Sequence, residues 1–314
     1  MATAGCLDEL TGGDEFPSES VTTIVPFDEG GGSDVIMRQM ADPLSDEFDV
    51  SMEIVNVPGA GAMRGIGQLL NEDNNGHTIG KFNPLTTSIQ AMISPPDFDM
   101  TDLDGVATVG YNAIVLIANA DEGIEDLEDL LGRYEAGEYE TVGGLGVHYL
   151  VQAVYFRDEY EMEWDRYIEY SGAGPINEAI TAGEVPAAFT SDTGALSPVD
   201  AGNADVIAVL TSDGTEVFPE AESVTDQGFE EIDFMGEVTR SIWAPDDTPD
   251  DRIDVLTDGF EQAVESETMQ NWSEETGNPV EYGGPDIAND ALESVWSEIP
   301  DLIDIDELRE EAGQ

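Results

Sequence analysis

Residues Val21–Leu44 read VTTIVPFDEGGGSDVIMRQMADPL. Val21 to Phe27 is apolar and β-branched and stops at a turn, which predicts a strand. From Asp34 to Ser45 the residues Val35, Ile36, Met40 and Leu44 fall on or near one helical face. Between these segments stand Gly30, Gly31 and Gly32, followed by Ser33 and Asp34. Glycine lets backbone N–H groups approach a ligand closely, and a helix start carries roughly +0.5 of a charge. Such a handover suits an anion. The plainer reading is an ordinary strand–helix connection with Ser33 or Asp34 as N-cap.

The same unit recurs along the chain. Val50–Val57 alternates as a strand, PGAGAMRGIGQLL opens a second helix, and Thr78–Phe82 is a third strand. This order argues for a parallel sheet with helices on its faces. Val106–Val109 and Ala113–Ala118 read as two further strands and Ile124–Leu131 as a helix. Beyond residue 120 the pattern resumes, with strands at Tyr139–Gly143, Arg166–Tyr170, Pro186–Thr190 and Val206–Leu210. Asp250–Ser266 and Ile287–Ile299 are amphipathic helices. Four turns place Gly, Ser or Thr after a strand: Gly30–Asp34, Thr86–Ser88, Gly143–Gly146 and Ser171–Gly174. In open α/β sheets ligands sit outside the carboxyl ends of the strands. Several such turns facing one cleft would hold an anion through amides and hydroxyls alone, with no lysine or arginine required.

The charge balance is extreme. Nine basic and seventy acidic residues among 314 give a net charge of −61, and Lys81 is the only lysine. Acids are spread from end to end, unlike an acidic tail built for a basic partner. In dilute buffer such a surface repels itself; at about 1 M salt the Debye length is about 3 Å and the repulsion is screened. An extremely halophilic, archaeal source is expected. No basic stripe exists to meet phosphates, so nucleic acid is not an expected partner. Hydrophobic residues make up 40% of the chain, enough to bury a core and argue against disorder.

The single cysteine, Cys6, excludes an intramolecular disulfide. Thr3-Ala4-Gly5-Cys6 resembles the end of a lipoprotein signal, and the acidic stretch Leu7–Ser20 then reads as a tether. The alternative is an incidental cysteine at a frayed end. The basic and apolar parts of a secretion signal do not precede it.

Catalytic chemistry finds little footing. Gly30–Asp34 lacks the Gly-Lys-Ser/Thr of a nucleotide loop, and its glycines are consecutive, unlike a dinucleotide fingerprint. The two histidines, His77 and His148, have no metal-ligand spacing. No Asp-x-Asp-x-Asp-Gly calcium loop occurs. No metal and no cofactor are expected. His148 follows a glycine turn and either touches a ligand or is a partly buried helix-start residue.

At this point the residues resemble a known family. The opening stretch is similar to that of the substrate-binding proteins of tripartite tricarboxylate transporters, the Bug receptors: a strand, Val-Pro-Phe, glycines, then Asp. IVNVPGAGAMRGIGQL resembles their Asn-x-Pro-Gly-Ala-Gly-Gly segment through Asn56, Pro58, Gly59, Ala60 and Gly61. DNNGHTIG matches an Asp-Gly-Tyr-Thr run loosely, with His77 in place of tyrosine. YSGAGPINEAITAGEVPAAF resembles a Tyr-Lys-Gly-x-x-Pro segment, with Ser171 in place of lysine, and SIWAPDDTPDDRIDVLTDGFEQAV resembles an Ala-Pro-x-x-Thr-Pro helix start. The similarity covers roughly residues 20–300.

The resemblance implies a two-lobed α/β, periplasmic-binding-protein-like fold of the type II, Venus-flytrap kind, with hinge crossings. The expected layout is a tether at 1–19, lobe 1 at 20–118 plus 239–314, and lobe 2 at 119–238. It implies a non-enzymatic, extracytoplasmic solute receptor, a monomer anchored by lipid at Cys6. Such a receptor binds a small carboxylate and delivers it to a membrane permease. Carried over as ligand-binding are Phe27, Gly31, Gly32, Ser33 and Asp34; Thr86 and Thr87; Tyr170, Gly172 and Ala173; and, from the following strand end, Ser191 and Asp192. Gly144 and His148 come from a turn that is shorter than the family pattern. Losing the lysine at Ser171 favours a mono- or dicarboxylate over a fully ionised tricarboxylate. The rivals are a hydrolase on the same scaffold using Ser33 or Ser191, and a sensor or scaffold for another partner.

The charge distribution makes one prediction. The thermal unfolding midpoint should climb steeply as KCl rises from about 0.1 M to about 2 M. A midpoint that ignores salt would contradict a surface held apart by its own charge.

Overall fold

The computed structural model describes residues 16–313, so Cys6 and most of the expected tether lie outside the described residues. The chain runs β1 (Val21–Val25), α1 (Gly32–Phe48), β2 (Met52–Asn56), α2 (Met63–Leu69), β3 (Thr78–Phe82), α3 (Pro84–Ile93) and β4 (Leu103–Asn119). It continues through α4 (Leu127–Glu135), β5 (Thr141–Leu145), α5 (Leu150–Tyr160), β6 (Arg166–Tyr170), α6 (Ala173–Ala182), β7 (Ala187–Ser191), α7 (Asp192–Asp200) and β8 (Ala204–Val209). It returns by α8 (Asp233–Gly236), β9 (Glu237–Pro245), α9 (Asp250–Glu265), α10 (Glu267–Thr276), α11 (Pro285–Leu302) and α12 (Ile305–Glu311).

The strands form two sheets that share β4. β2, β1 and β3 are parallel neighbours, and β9 joins β3 to the first part of β4, antiparallel to both. From Ile114 onward β4 pairs instead with β7 and β8, and β7 continues to β5 and β6, all three parallel. The architecture is the two-lobed α/β arrangement expected.

Strand directions fix where the turns go. β3 and β4 are both antiparallel to β9, so they run the same way, toward Tyr111–Ala113. β7 opposes β4, and its last residue, Ser191, pairs with Ile114. The carboxyl ends of β1–β3 and of β5–β7 therefore face one another across the point where β4 passes between sheets.

One long strand replaces the two short ones expected at 106–109 and 113–118. The interruption is an irregularity, with register shifts against β9 between Gly105 and Ala107 and between Thr108 and Tyr111. Gly110 sits there at φ 154°, a conformation that side chains other than glycine's avoid. Thr86–Ser88, expected in a turn, lies inside α3, whose entry is Asn83-Pro84. β9 is a strand where sequence offered only the approach to α9.

Packing follows the hydrophobic stripes. Ile36, Met37, Met40, Leu44 and Phe48 of α1 join Val21, Val25, Leu256 and Phe260 in one core. Ile24, Phe82, Trp243, Ala288 and Leu292 fill the sheet's other face. The largest core joins Leu85, Ile89 and Met92 of α3 to Val151, Phe156 and Phe189, with Val295, Ile299 and Leu308 of the C-terminal helices. α12 also docks on α5 through Arg157, whose guanidinium meets Glu307 at 2.7 Å and Glu311 at 2.9 Å.

Trp243 is fully buried, stacks on Phe82 at 5.3 Å between centroids and donates Nε1–H to the Phe82 carbonyl at 3.2 Å. Trp243→Ala should cost about 3–5 kcal/mol in urea unfolding at high KCl. A loss below about 1 kcal/mol would show that β9 is not held by this contact.

Candidate functional site

The cleft between the opposed strand ends collects the glycine turns. α1 starts with Gly31 as N-cap and no side-chain cap, so neither Ser33 nor Asp34 plays the expected capping role. Asp34 is buried and turned sideways. Its carboxylate accepts Nε–H of Arg38 at 2.9 Å and the Gly30 amide at 2.8 Å. Those contacts, Arg38 first, hold its pKa below the usual aspartate value against the opposing effect of burial. It pins the glycine turn. Arg38 also reaches Asn56 Oδ1, and Asn56 Nδ2 donates to the Phe27 carbonyl at 3.0 Å, so the second family segment braces the first. Phe27 is half-buried between two cores.

α3 begins at Asn83, again with no side-chain cap, and Pro84 has no N–H to satisfy. The hydroxyls of Thr86 and Thr87 fold back on the Asn83 carbonyl, at 3.4 and 2.8 Å. Their side chains thus close the first helical turn, and Thr87 is buried. α6 opens at Gly172 without a side-chain cap, leaving the amides of Ala173 and Gly174 at its first turn. Uncapped starts also occur at α2, α9 and α11. α1, α3 and α6, like α2 after β2, start at the carboxyl ends of parallel strands, on the two sides of one gap, whereas α9 and α11 do not. Unpaired N–H groups at helix starts are the natural partners of an anion. Tyr170, half-buried at the end of β6, packs toward Gly143.

Ser191 caps α7, accepting the Gly194 amide at 3.1 Å. Asp192 is fully buried and fully engaged. It accepts from Asn112 Nδ2 at 2.7 Å, the Ala113 amide at 3.2 Å, the Thr193 amide at 2.6 Å and Thr215 Oγ1 at 2.6 Å. That carboxylate ties β7 and α7 to β4 at the crossing. Arg240, largely desolvated, reaches Asn112 Oδ1 from β9 and feels Asp192 beyond it.

Gly144 is buried beneath the Tyr167 ring, where no Cβ fits. Tyr167 donates its hydroxyl to the Gly146 carbonyl at 2.6 Å. Gly146 has φ 69°, and a Cβ there would stand 2.7 Å from His148 Cε1. His148 is half-buried beside Tyr149, at 5.1 Å between ring centroids. Burial pushes its pKa down to about 4.

Sequence reasoning passed over Lys81. Its Nζ donates to Ser33 Oγ and to Asn83 Oδ1, each at 2.9 Å, joining the starts of α1 and α3. The available signal was that a chain with one lysine places it in a strand, directly before an Asn-Pro helix entry. A hollow of about 370 Å³ touches Pro84 and Leu85 at the start of α3, but Glu231, Asp233, Glu237, Asp290 and Glu298 also line it. Another of about 340 Å³ touches Asp192 but is lined by Asp213, Glu216, Asp233, Glu237 and Glu281, a setting that repels a carboxylate.

His148 yields a pH prediction. Its folded pKa lies below the unfolded value of about 6.5, so between about pH 4 and 6.5 the unfolded chain binds more protons. The His148 contribution to stability therefore rises with pH through that window and falls as pH drops through it. His148→Gln should flatten part of that slope in melts at fixed high salt. An unchanged slope would mean the ring titrates normally.

Known proteins share this sequence pattern and fold. Residues 36–285 match the model of the tripartite tricarboxylate transporter family receptor. Protein BugT of Bordetella pertussis is 26% identical over 277 residues, covering 86% of this chain and 83% of that protein. A TctC solute binding protein from Polaromonas superposes with a TM-score of 0.80 at 18% identity, over 91% of this chain and 98% of that one. MatC from Rhodopseudomonas palustris, solved with bound malate, gives 0.69 at 19% identity, over 95% and 100%. A second R. palustris protein, solved with adipate, gives 0.70 at 19%, over 95% and 98%. With its family model spanning most of the sequence and its strand-end turns opposed across one cleft, the chain belongs to the tripartite tricarboxylate transporter receptor family.

Proposed function

We propose that this protein is an extracytoplasmic receptor that closes over one small carboxylate and hands it to a membrane permease. The observation that carries this reading is the opposition of the uncapped starts of α1 and α3 to that of α6. They supply amide donors from both lobes to one gap. Malate and adipate, the ligands of two structural relatives, mark the size class: a mono- or dicarboxylate. The proposed layout keeps the lobes expected from sequence, except that the first crossing moves from 118–119 to Ala113–Ile114, where β4 changes partners. The second crossing is proposed to lie at the entry to β9. Attachment through a lipid on Cys6, a monomeric state and a brine habitat belong to the same proposal. No helix among the described residues is long and apolar enough to cross a membrane, which is compatible with anchoring by lipid.

The hydrolase reading has less support. Ser33 Oγ is engaged by Lys81, and Ser191 Oγ by the Gly194 amide. His77 lies at the amino end of β3, bonded to Ser18 and Asn75. A nucleophile needs a base within hydrogen-bond reach, and neither serine has a histidine there among the described residues.

The test is thermal stability in about 2 M KCl against acetate, succinate, malate, adipate and citrate. A ligand present at about 100 times its Kd stabilises by about 2.7 kcal/mol, so one or two mono- or dicarboxylates should raise the midpoint while citrate does not. A selective response to citrate would overturn the size class. Silence across the panel would overturn the carboxylate reading.

A further inference from the structure

Three charged side chains of the described residues are buried: Asp34, Asp192 and Lys81. Asp34 is compensated by Arg38, and Asp192 by four hydrogen bonds and the nearby Arg240. Lys81 is 1% exposed and has no carboxylate within ion-pair distance among the described residues. In a chain of net charge −61, the only lysine is withheld from seventy acids. Burying a charge without a counter-ion costs several kcal/mol.

We propose that Lys81 is the fixed counter-charge of the ligand carboxylate, acting through Ser33 and Asn83, which its ammonium turns into outward donors. This rests on the receptor reading above. An ammonium has three donors and no acceptor. Ser33 Oγ and Asn83 Oδ1 therefore accept from it. The Ser33 hydroxyl proton and the Asn83 Nδ2 protons must then point elsewhere, and no acceptor for either occurs among the described residues. Ser33 and Asn83 are both half-buried at the strand-end gap, in front of the buried amine. Two neutral side chains thus become a donor pair backed by a cation, beside the open amides of α1 and α3.

Arg240 has the buried Asp192 as its counter-charge, whereas no anion opposes the burial of Lys81. One negative charge closes the balance. Burial first, and the Arg240 charge second, hold the Lys81 pKa well below the ordinary lysine value; an incoming carboxylate opposes both effects. Lys81 is a positioning residue, and the carboxylate it serves is a single one, whether the whole ligand or one end of a dicarboxylate.

The test is calorimetric titration of the whole chain in about 2 M KCl with malate, with adipate and with the neutral diamide of each. Lys81→Met removes the charge and keeps an unbranched apolar stem. Asn83→Asp places an internal carboxylate beside the ammonium. Both variants should keep or raise the ligand-free melting midpoint, because an uncompensated buried cation is removed or paired. Both should weaken binding of the better acid on the order of 100-fold and erase most of the preference for acid over diamide. That preference is a readout that loose packing alone would not abolish. If Lys81→Met fails to fold, Asn83→Asp decides. Wild-type affinity and wild-type acid preference in either folded variant would overturn the assignment to Lys81 and leave the receptor reading intact. A wild type that binds neither acid would overturn both.

Discussion

One 17-residue strand, β4, holds the molecule together. Its first part pairs with β9 in the sheet of β1–β3, and its last part pairs with β7 and β8 in the other sheet. Because a single strand has a single direction, it forces both sets of parallel strands to end toward the same gap. Each parallel strand must hand over to a helix, so the gap is lined by strand ends and helix starts. The site is a consequence of topology before any side chain is considered. Gly110 and the register shifts lie just before the crossing, where β4 must change partners. Asp192 then ties the end of β7 to that same point.

Electrostatics sets the second constraint. A surface this acidic cannot offer a cationic funnel, so in the proposed receptor the anion is met by dipoles and by charge hidden from solvent. Backbone amides at helix starts do the first. Lys81 does the second, screened from the acids by burial. This separation lets the exterior answer to salt while the interior answers to the ligand.

Much of the fold was legible because glycine turns after β-branched runs are strong local signals. The strand ends at Phe82 and Tyr170 followed from them, whereas β1 ends at Val25, before the expected Phe27, and α1 starts at Gly32, before the expected Asp34. β4 was read as two strands because Gly110-Tyr111-Asn112 looks like a turn; a long-range partner, β9, carries the pairing through it. Thr86 and Thr87 were placed at a turn because their hydroxyls suit one, yet Asn83-Pro84 already makes it. Asp34 and Asp192 are expected at the ligand from the resemblance, but their carboxylates are committed to Arg38, to Asn112 and to backbone amides. Such commitments include partners as far as 80 residues away and leave no periodic trace. Lys81 was overlooked for the same reason: its meaning lies in what does not surround it.

The central claim is that the starts of α1, α3 and α6 receive one ligand together. Amide hydrogen exchange in brine, with and without a saturating carboxylate that stabilises the protein, tests it most directly. The account predicts simultaneous slowing at Gly32–Ser33, Leu85–Thr86 and Ala173–Gly174, on both sides of the gap. Protection confined to one side, or centred on the acid-lined hollow around Glu237 and Glu281, would contradict it.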